Sequence, residues 1–295
     1  MRLYYLLLMA LLSGCGNSQE EVGAKMEHGK SIVDIKVGSS IDDLLKSSPM
    51  KFSEECMDTV GICWYKINLR SADPSLPTAV VNVDGTGLSI EKVTDISVVR
   101  SKGEKTITDF DLTLLGLPDD TSHDDNRKWI YNLLADFKSA GWSKYFYPAD
   151  PRISGKEFSK LPAGKEVFGE YPLSHPMFDP TFALPLENWI AVKSFYNWYL
   201  YKDSAFAHVM VQRRDSDIAP SEKGTYLVTI EFTSQENTWK LDFKEEERAD
   251  WKEKFPARLK ELLQRRATAE NLARAAGVDI EDGYRAPQIE IKNQK

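Results

Sequence analysis

Histidine and cysteine are scarce in this chain of 295 residues, which holds four of the first and three of the second. That scarcity argues against a zinc framework of the finger or ribbon kind, which gathers four such ligands at short hook spacing. The Gly-x-Ser-x-Gly elbow, the His-Glu-x-x-His pair and the phosphate-binding glycine loop are all missing, and with them the common signatures of serine hydrolases, zinc proteases and nucleotide enzymes. Ser48-Pro49-Met50-Lys51 spells Ser-x-x-Lys. No Ser-Asp-Asn or Lys-Thr-Gly element accompanies it, so it reads as a chance match. Basic residues are outnumbered, 38 Lys plus Arg against 45 Asp plus Glu, for a formal charge of −7. Nucleic acid is therefore excluded as a partner, because phosphate binding needs a basic stripe that this chain lacks. No apolar run approaches the about 20 residues of a membrane-spanning helix. No cofactor, metal or catalytic residue is expected.

What is present is enough hydrophobic surface for a folded body, 42% of the residues including seven tryptophans. The N-terminus carries Arg2, a short apolar core from Leu3 to Leu12, then small residues Ser13 and Gly14 before Cys15. Leu12-Ser13-Gly14-Cys15 resembles the lipobox of bacterial lipoproteins. The resemblance implies cleavage before Cys15, lipidation of its thiol and acylation of the new amine, and two or more acyl chains make a stable anchor. Gly16 and Asn17 follow, where lipoproteins kept in the inner membrane typically show Asp, so the resemblance implies an outer-membrane anchor facing the periplasm. Residues 16–30 are polar and aperiodic, as a tether would be.

With Cys15 assigned to lipid, Cys56 and Cys63 remain as an even pair in a chain expected to meet an oxidising compartment, and a disulfide is predicted. Closing so short a loop contributes about 2–3 kcal/mol by constraining the unfolded chain.

The pattern predicts an α+β fold: two antiparallel-sheet units, each packed by helices, and a long C-terminal helix. The divisions expected are a signal peptide (1–14), lipidated Cys15 with its tether (15–30), an N-terminal α+β domain (31–146), a proline-rich connection (147–186), a C-terminal α+β domain (187–285) and a polar tail (286–295). Ser39 or Ser40 can cap a short helix that Pro49 stops. Residues 62–115 read as four to five antiparallel strands, with a hairpin turning at Asp84-Gly85. Ser122 and Asp125 have capping-box spacing ahead of Trp129, Ile130, Leu133, Leu134 and Phe137, a helix ended by Gly141. Asp119, Asp120, His123, Asp124 and Asp125 superficially suggest a metal site, yet carboxylates at a helix start are explained by its dipole. His175, in a segment with seven prolines, reads as a surface loop histidine.

A three-stranded meander follows from Phe195 to Thr233. Ala205, Ala207, Val209 and Val211 form its buried stripe, matched by Tyr226, Val228, Ile230 and Phe232, while Phe206, His208, Met210 and Gln212 share the other face. Its aromatics read as core rather than as a sugar-stacking platform. From Glu245 to about Ala276 a helix buries Trp251, Phe255, Leu259, Leu262 and Leu263 and keeps Arg258, Arg265 and Arg266 wet. Pro256 implies either a kink or two helices.

The functional expectation is a membrane-anchored periplasmic lipoprotein that binds another protein through an exposed sheet face. In general layout it resembles immunity or inhibitor lipoproteins, anchored acidic bodies that neutralise envelope-attacking toxins. The alternatives are an envelope or secretion-system accessory lipoprotein, because Ile35-Lys36-Val37-Gly38-Ser39-Ser40 is similar to a stretch of small outer-membrane assembly lipoproteins, and a hydrolase with an unfamiliar site.

Overall fold

The computed structural model describes residues 31–289, except 60, 84, 102 and 194. The lipobox, Cys15 and the tether to residue 30 lie outside the described residues, as do residues 290–295. Twelve strands run in chain order: β1 (Ile32–Lys36), β2 (Ser53–Met57), β3 (Ile62–Asn68), β4 (Thr78–Val83), β5 (Thr86–Ile90), β6 (Val93–Ser101), β7 (Asp109–Leu114), β8 (Thr121–Ser122), β9 (Ser143–Lys144), β10 (Phe195–Lys202), β11 (Ala205–Asp215) and β12 (Lys223–Ser234). The helices are α1 (Ile41–Ser47), α2 (His123–Ser139), α3 (Leu186–Ala191), α4 (Gln235–Leu241) and α5 (Trp251–Ala275). Among the described residues no helix is long and apolar enough to cross a membrane.

The α+β class, the two sheets and the long C-terminal helix agree with the sequence, but the sheets divide the chain at a different place. A nine-stranded sheet runs β2-β3-β6-β7-β12-β11-β10-β9, with β8 added beside β12. Its middle is the antiparallel β7–β12 pairing, Phe110 opposite Phe232 and Leu112 opposite Ile230. One sheet therefore draws strands from both segments that the sequence assigns to separate units. The β4–β5 hairpin leaves it for a three-stranded sheet in which β1 lies parallel to β4. The polar segment 71–77 carries the chain off the large sheet, so that β3 pairs directly with β6.

Alternation decides which face is core. Tyr65, Ile67, Ile96, Val98, Phe110, Leu112, Val228, Ile230, Val209, Val211, Tyr196 and Trp198 point to one side and are buried. The small sheet, α1 and α2 supply the opposing half of that core through Val33, Ile35, Val81, Ile41, Ile130, Leu134 and Phe137. Ser122 starts α2 as expected, its Oγ accepting from the Asp125 amide at 3.1 Å and donating to the Asp125 carboxylate at 2.6 Å. Likewise Ser40 caps α1, accepting from the Asp43 amide at 3.3 Å.

Four expectations are corrected by packing. Arg266 on α5 is buried rather than wet, because its guanidinium reaches the carbonyls of Phe146, Tyr147 and Asp150 at 2.7–3.3 Å. His175 is half-buried, its Nδ1 accepting from the Met177 amide at 3.2 Å, and burial lowers its pKa. The first residues of the polar tail are docked: Gln288 accepts from the Gln235 side chain at 2.8 Å and Pro287 is buried. Leu263, expected in the buried stripe of α5, is 44% exposed. Of the two outcomes for Pro256, a division into two helices is the nearer: a 3-10 turn at Glu245–Asp250 hands over to α5 at Trp251, and Pro256 lies in the second turn of α5 rather than the first.

Candidate functional site

The large sheet has a second face, and alternation sends its polar residues there. Among the described residues only one end is covered: α4, α5 and the residues near 289 close over Phe206, Tyr199 and Tyr201 with Trp239, Trp251 and Phe255. Next to that cap a row crosses six strands in register: Lys66, Ser97, Asp111, Glu231, His208 and Tyr199. A flanking row holds Asn68, Asp95, Thr113, Thr229, Met210 and Asn197, and on the other side stand Trp64, Val99, Asp109 and Thr233.

The centre of this face is acidic and fixed in place. His208 stacks on Tyr199 with ring centroids 4.2 Å apart. Its Nε2–H donates to Asn197 Oδ1 at 2.9 Å, and Nδ1 sits 3.6 Å from Glu231. The polar contact with the neighbouring His208 ring lowers the Glu231 pKa. Asp111 stands opposite Glu231. Burial, followed by repulsion from Glu231 and Asp109, raises its pKa to about 6. Asp109 accepts from Thr108 Oγ1 and Asn237 Nδ2 at 2.9 and 3.3 Å, and burial raises its pKa too. Lys66 is engaged by Glu55 at 2.8 Å rather than by these carboxylates. Partly exposed Trp64, Val99 and Met210, with exposed Phe195 and Leu227, border the acidic centre.

A raised carboxylate pKa has a definite sign. Between the unfolded value and about 6 the folded state holds the proton more tightly, so Asp111 contributes stability at low pH that is lost as pH rises through that window. In Asp111→Asn this fall should vanish from chemical-denaturation midpoints measured between pH 4 and 7. A wild-type carboxyl resonance titrating below pH 4.5 would contradict the expectation.

The residues singled out in the sequence fall elsewhere. Cys56 and Cys63 face each other across β2 and β3 and form the expected disulfide, Cα atoms 4.0 Å apart. Glu54 lies beside them, but sulfurs joined to each other offer no thiolate for a metal. The acidic group before α2 is a helix start: Asp124 pairs with Arg127 and Lys128, each at 2.7 Å. His123 turns inward. Its Nε2 can only donate to the Pro220 carbonyl at 2.9 Å, so Nδ1 accepts from the Tyr226 hydroxyl at 2.8 Å, which itself accepts from Trp189 Nε1 at 3.0 Å. Gly224 permits this, since a Cβ there would lie 2.7 Å from the Arg214 carbonyl and 3.0 Å from the His123 ring. Ser48 Oγ bonds to the Met50 backbone, and Lys51 is exposed. Most meander aromatics are core: Tyr196 and Trp198 are fully buried and stack with Trp189 of α3.

Alternation placed His208 and Met210 on a common face. The neighbours that give them chemical character, Asp111 and Glu231, arrive through the β7–β12 pairing, and no local signal in the sequence announces it. No protein family, curated protein or solved structure matches this chain.

Proposed function

We propose that this chain is a lipid-anchored protein of the bacterial envelope, held through Cys15 at the periplasmic side of the outer membrane, that binds another protein with the open face of its nine-stranded sheet. The observation that carries the reading is this face: a rigid sheet surface with an acidic centre and a partly apolar aromatic border, where interfaces concentrate aromatic and methionine side chains. Glu231, at 54% exposed, presents its charge outward, and the partly buried Asp109 and Asp111 stand beside it. A preformed acidic surface suits occlusion of a basic one, the mode of action of an immunity or inhibitor protein against an envelope-targeting toxin. The Cys56–Cys63 disulfide fits an oxidising compartment.

Two measurements test the parts separately. Cys15→Ser should move the protein from the membrane to the soluble fraction and abolish palmitate incorporation. Cross-linking and capture from solubilised envelope should recover a stoichiometric protein with the native chain, and at least about tenfold less with Asp111→Lys/Glu231→Lys. Equal recovery by a folded charge-reversal variant, or no stoichiometric partner at all, would remove the open face from the account.

A further inference from the structure

We propose that the Cys56–Cys63 disulfide is a redox latch: a dithiol reductant opens it in the folded protein, and opening releases β2 from the edge of the nine-stranded sheet. This device does not depend on the protein-binding reading. β2 ends the sheet and pairs with β3 alone, Cys56 directly opposite Cys63. All five of its residues are exposed. Beyond the backbone ladder, its noncovalent ties are polar ones at the surface: Glu54 accepts from the Tyr65 hydroxyl at 2.8 Å and lies 3.5 Å from Arg100, and Glu55 pairs with Lys66 at 2.8 Å. Exposed pairs of this kind contribute little, and β2 buries no apolar side chain to add to them.

The bond also ties no distant segments together. Seven positions separate the two cysteines, and the turn between them is already closed by Gly61, whose amide donates to the Met57 carbonyl at 2.9 Å. Its leverage therefore falls on β2. When the strand peels away the intact bond still closes the short loop, so breaking it returns conformational entropy to the peeled state and shifts the local equilibrium toward release. Phe52, buried just ahead of β2, confines the release to the strand and its turn. β3 stays in place, because Tyr65 and Ile67 are buried and its other side is paired with β6.

Cys56 is the sulfur open to attack, being exposed on a strand with no neighbour on its outer side among the described residues, whereas Cys63 is partly buried. One thiolate of the reductant bonds to Cys56 Sγ as the S–S bond breaks and Cys63 leaves as a thiolate. The reductant's second thiolate then attacks its own sulfur in the mixed disulfide and expels Cys56. Two electrons pass to the cysteine pair, which takes up two protons to end as thiols, and the reductant ends as a disulfide.

Hydrogen exchange read by mass spectrometry tests the latch, with dithiothreitol as the reductant and the full chain carrying Cys15→Ser so that only these two cysteines are counted. Without denaturant, iodoacetamide should alkylate both after reduction. Peptides covering residues 53–57 should then exchange at least about tenfold faster than in the oxidised chain, while those of β11 and β12 stay as protected as before. Replacing dithiothreitol with oxidised glutathione should restore slow exchange. Cys56→Ser/Cys63→Ser should show the fast exchange from the start and ignore dithiothreitol. Alkylation that requires denaturant would overturn the proposal, as would reduction that leaves residues 53–57 equally protected. Reduction that loosens β11 and β12 along with β2 would overturn it too, by making the disulfide a support of the whole fold.

Discussion

Asp179→Ala should lower the unfolding free energy by about 3–5 kcal/mol, measured by urea denaturation at neutral pH, because it leaves the buried Lys144 ammonium with only the more distant Glu281 carboxylate at 3.5 Å and the Ile153 carbonyl, and leaves the Gly155 and Thr181 amides without their acceptor. Asp179 is completely buried within the segment 147–185. One oxygen accepts from Lys144 Nζ at 2.9 Å and the Gly155 amide at 2.8 Å, and the other from the Thr181 amide and hydroxyl at 2.8 and 2.7 Å. Burial alone would raise its pKa. The Lys144 charge and the Gly155 amide reverse the sign and hold it below the ordinary carboxylate value. A depressed carboxylate contributes stability above the unfolded pKa and loses it as pH falls through the folded one, so wild type should weaken on acidification below about pH 4. Asp179→Asn keeps one acceptor oxygen but removes the nearer carboxylate from Lys144, so it should cost less than alanine, and adding Lys144→Met should restore part of the loss. Gly155 belongs to the same arrangement, since a Cβ there would sit 2.7 Å from that of Asp179. A neutral Asp179→Ala would mean that the ion pair does not hold this segment in place.

The second large effect is expected at Arg266. Replacement by methionine keeps much of the aliphatic stem but leaves the Phe146, Tyr147 and Asp150 carbonyls without the donor that now serves all three. The expected loss is about 3–4 kcal/mol, since bonds from charged donors disappear and buried acceptors are left unpaired. Arg266→Lys should recover little of it, because a point-like ammonium cannot replace a planar fork aimed at separate oxygens. One turn along α5, Glu270 accepts from Arg152 Nε and Nη2 at 2.7 Å each, so the two sites clamp the same helix to neighbouring parts of one loop. Thermal melts of Arg266→Met and Arg152→Met, singly and combined, will show whether the clamps act independently. A loss below about 1 kcal/mol for Arg266→Met would contradict its assignment as the main tie.

How much of this was legible depends on the range of the interaction. Ser40 and Ser122 cap helices because a side chain and an amide three residues apart meet whatever the rest of the chain does. The stripes through Val209 and Ile230 follow from a period of two. The disulfide was legible because Cys56 and Cys63 were the only pair left once Cys15 was assigned. Local pairings, the β4–β5 hairpin and the β10–β11–β12 meander, were legible, but distant pairing partners were not. Nothing within residues 109–114 states that β12, rather than a nearby hairpin, will lie beside them, so the two segments read as separate units. Composition likewise misjudged Arg266. A charged side chain on a helix is usually solvated, and only the arrival of the 146–150 carbonyls makes its burial favourable. The candidate site divides in the same way: His208 and Met210 could be placed on one face, but not beside Asp111.

The β7–β12 seam also sets the order in which the molecule can form. While the ribosome is still making residues before 223, β7 has β6 on one side and an open row of amides and carbonyls on the other. That row is a template for any strand that reaches it first, including the same strand of another copy. Closing it correctly brings together segments more than a hundred residues apart in the chain, the kind of loop closure that slows folding. Pulse-labelled hydrogen exchange should therefore find β3–β6 protected before β7–β12. A chain stopped at the end of α3 should self-associate through that edge rather than persist as a stable half.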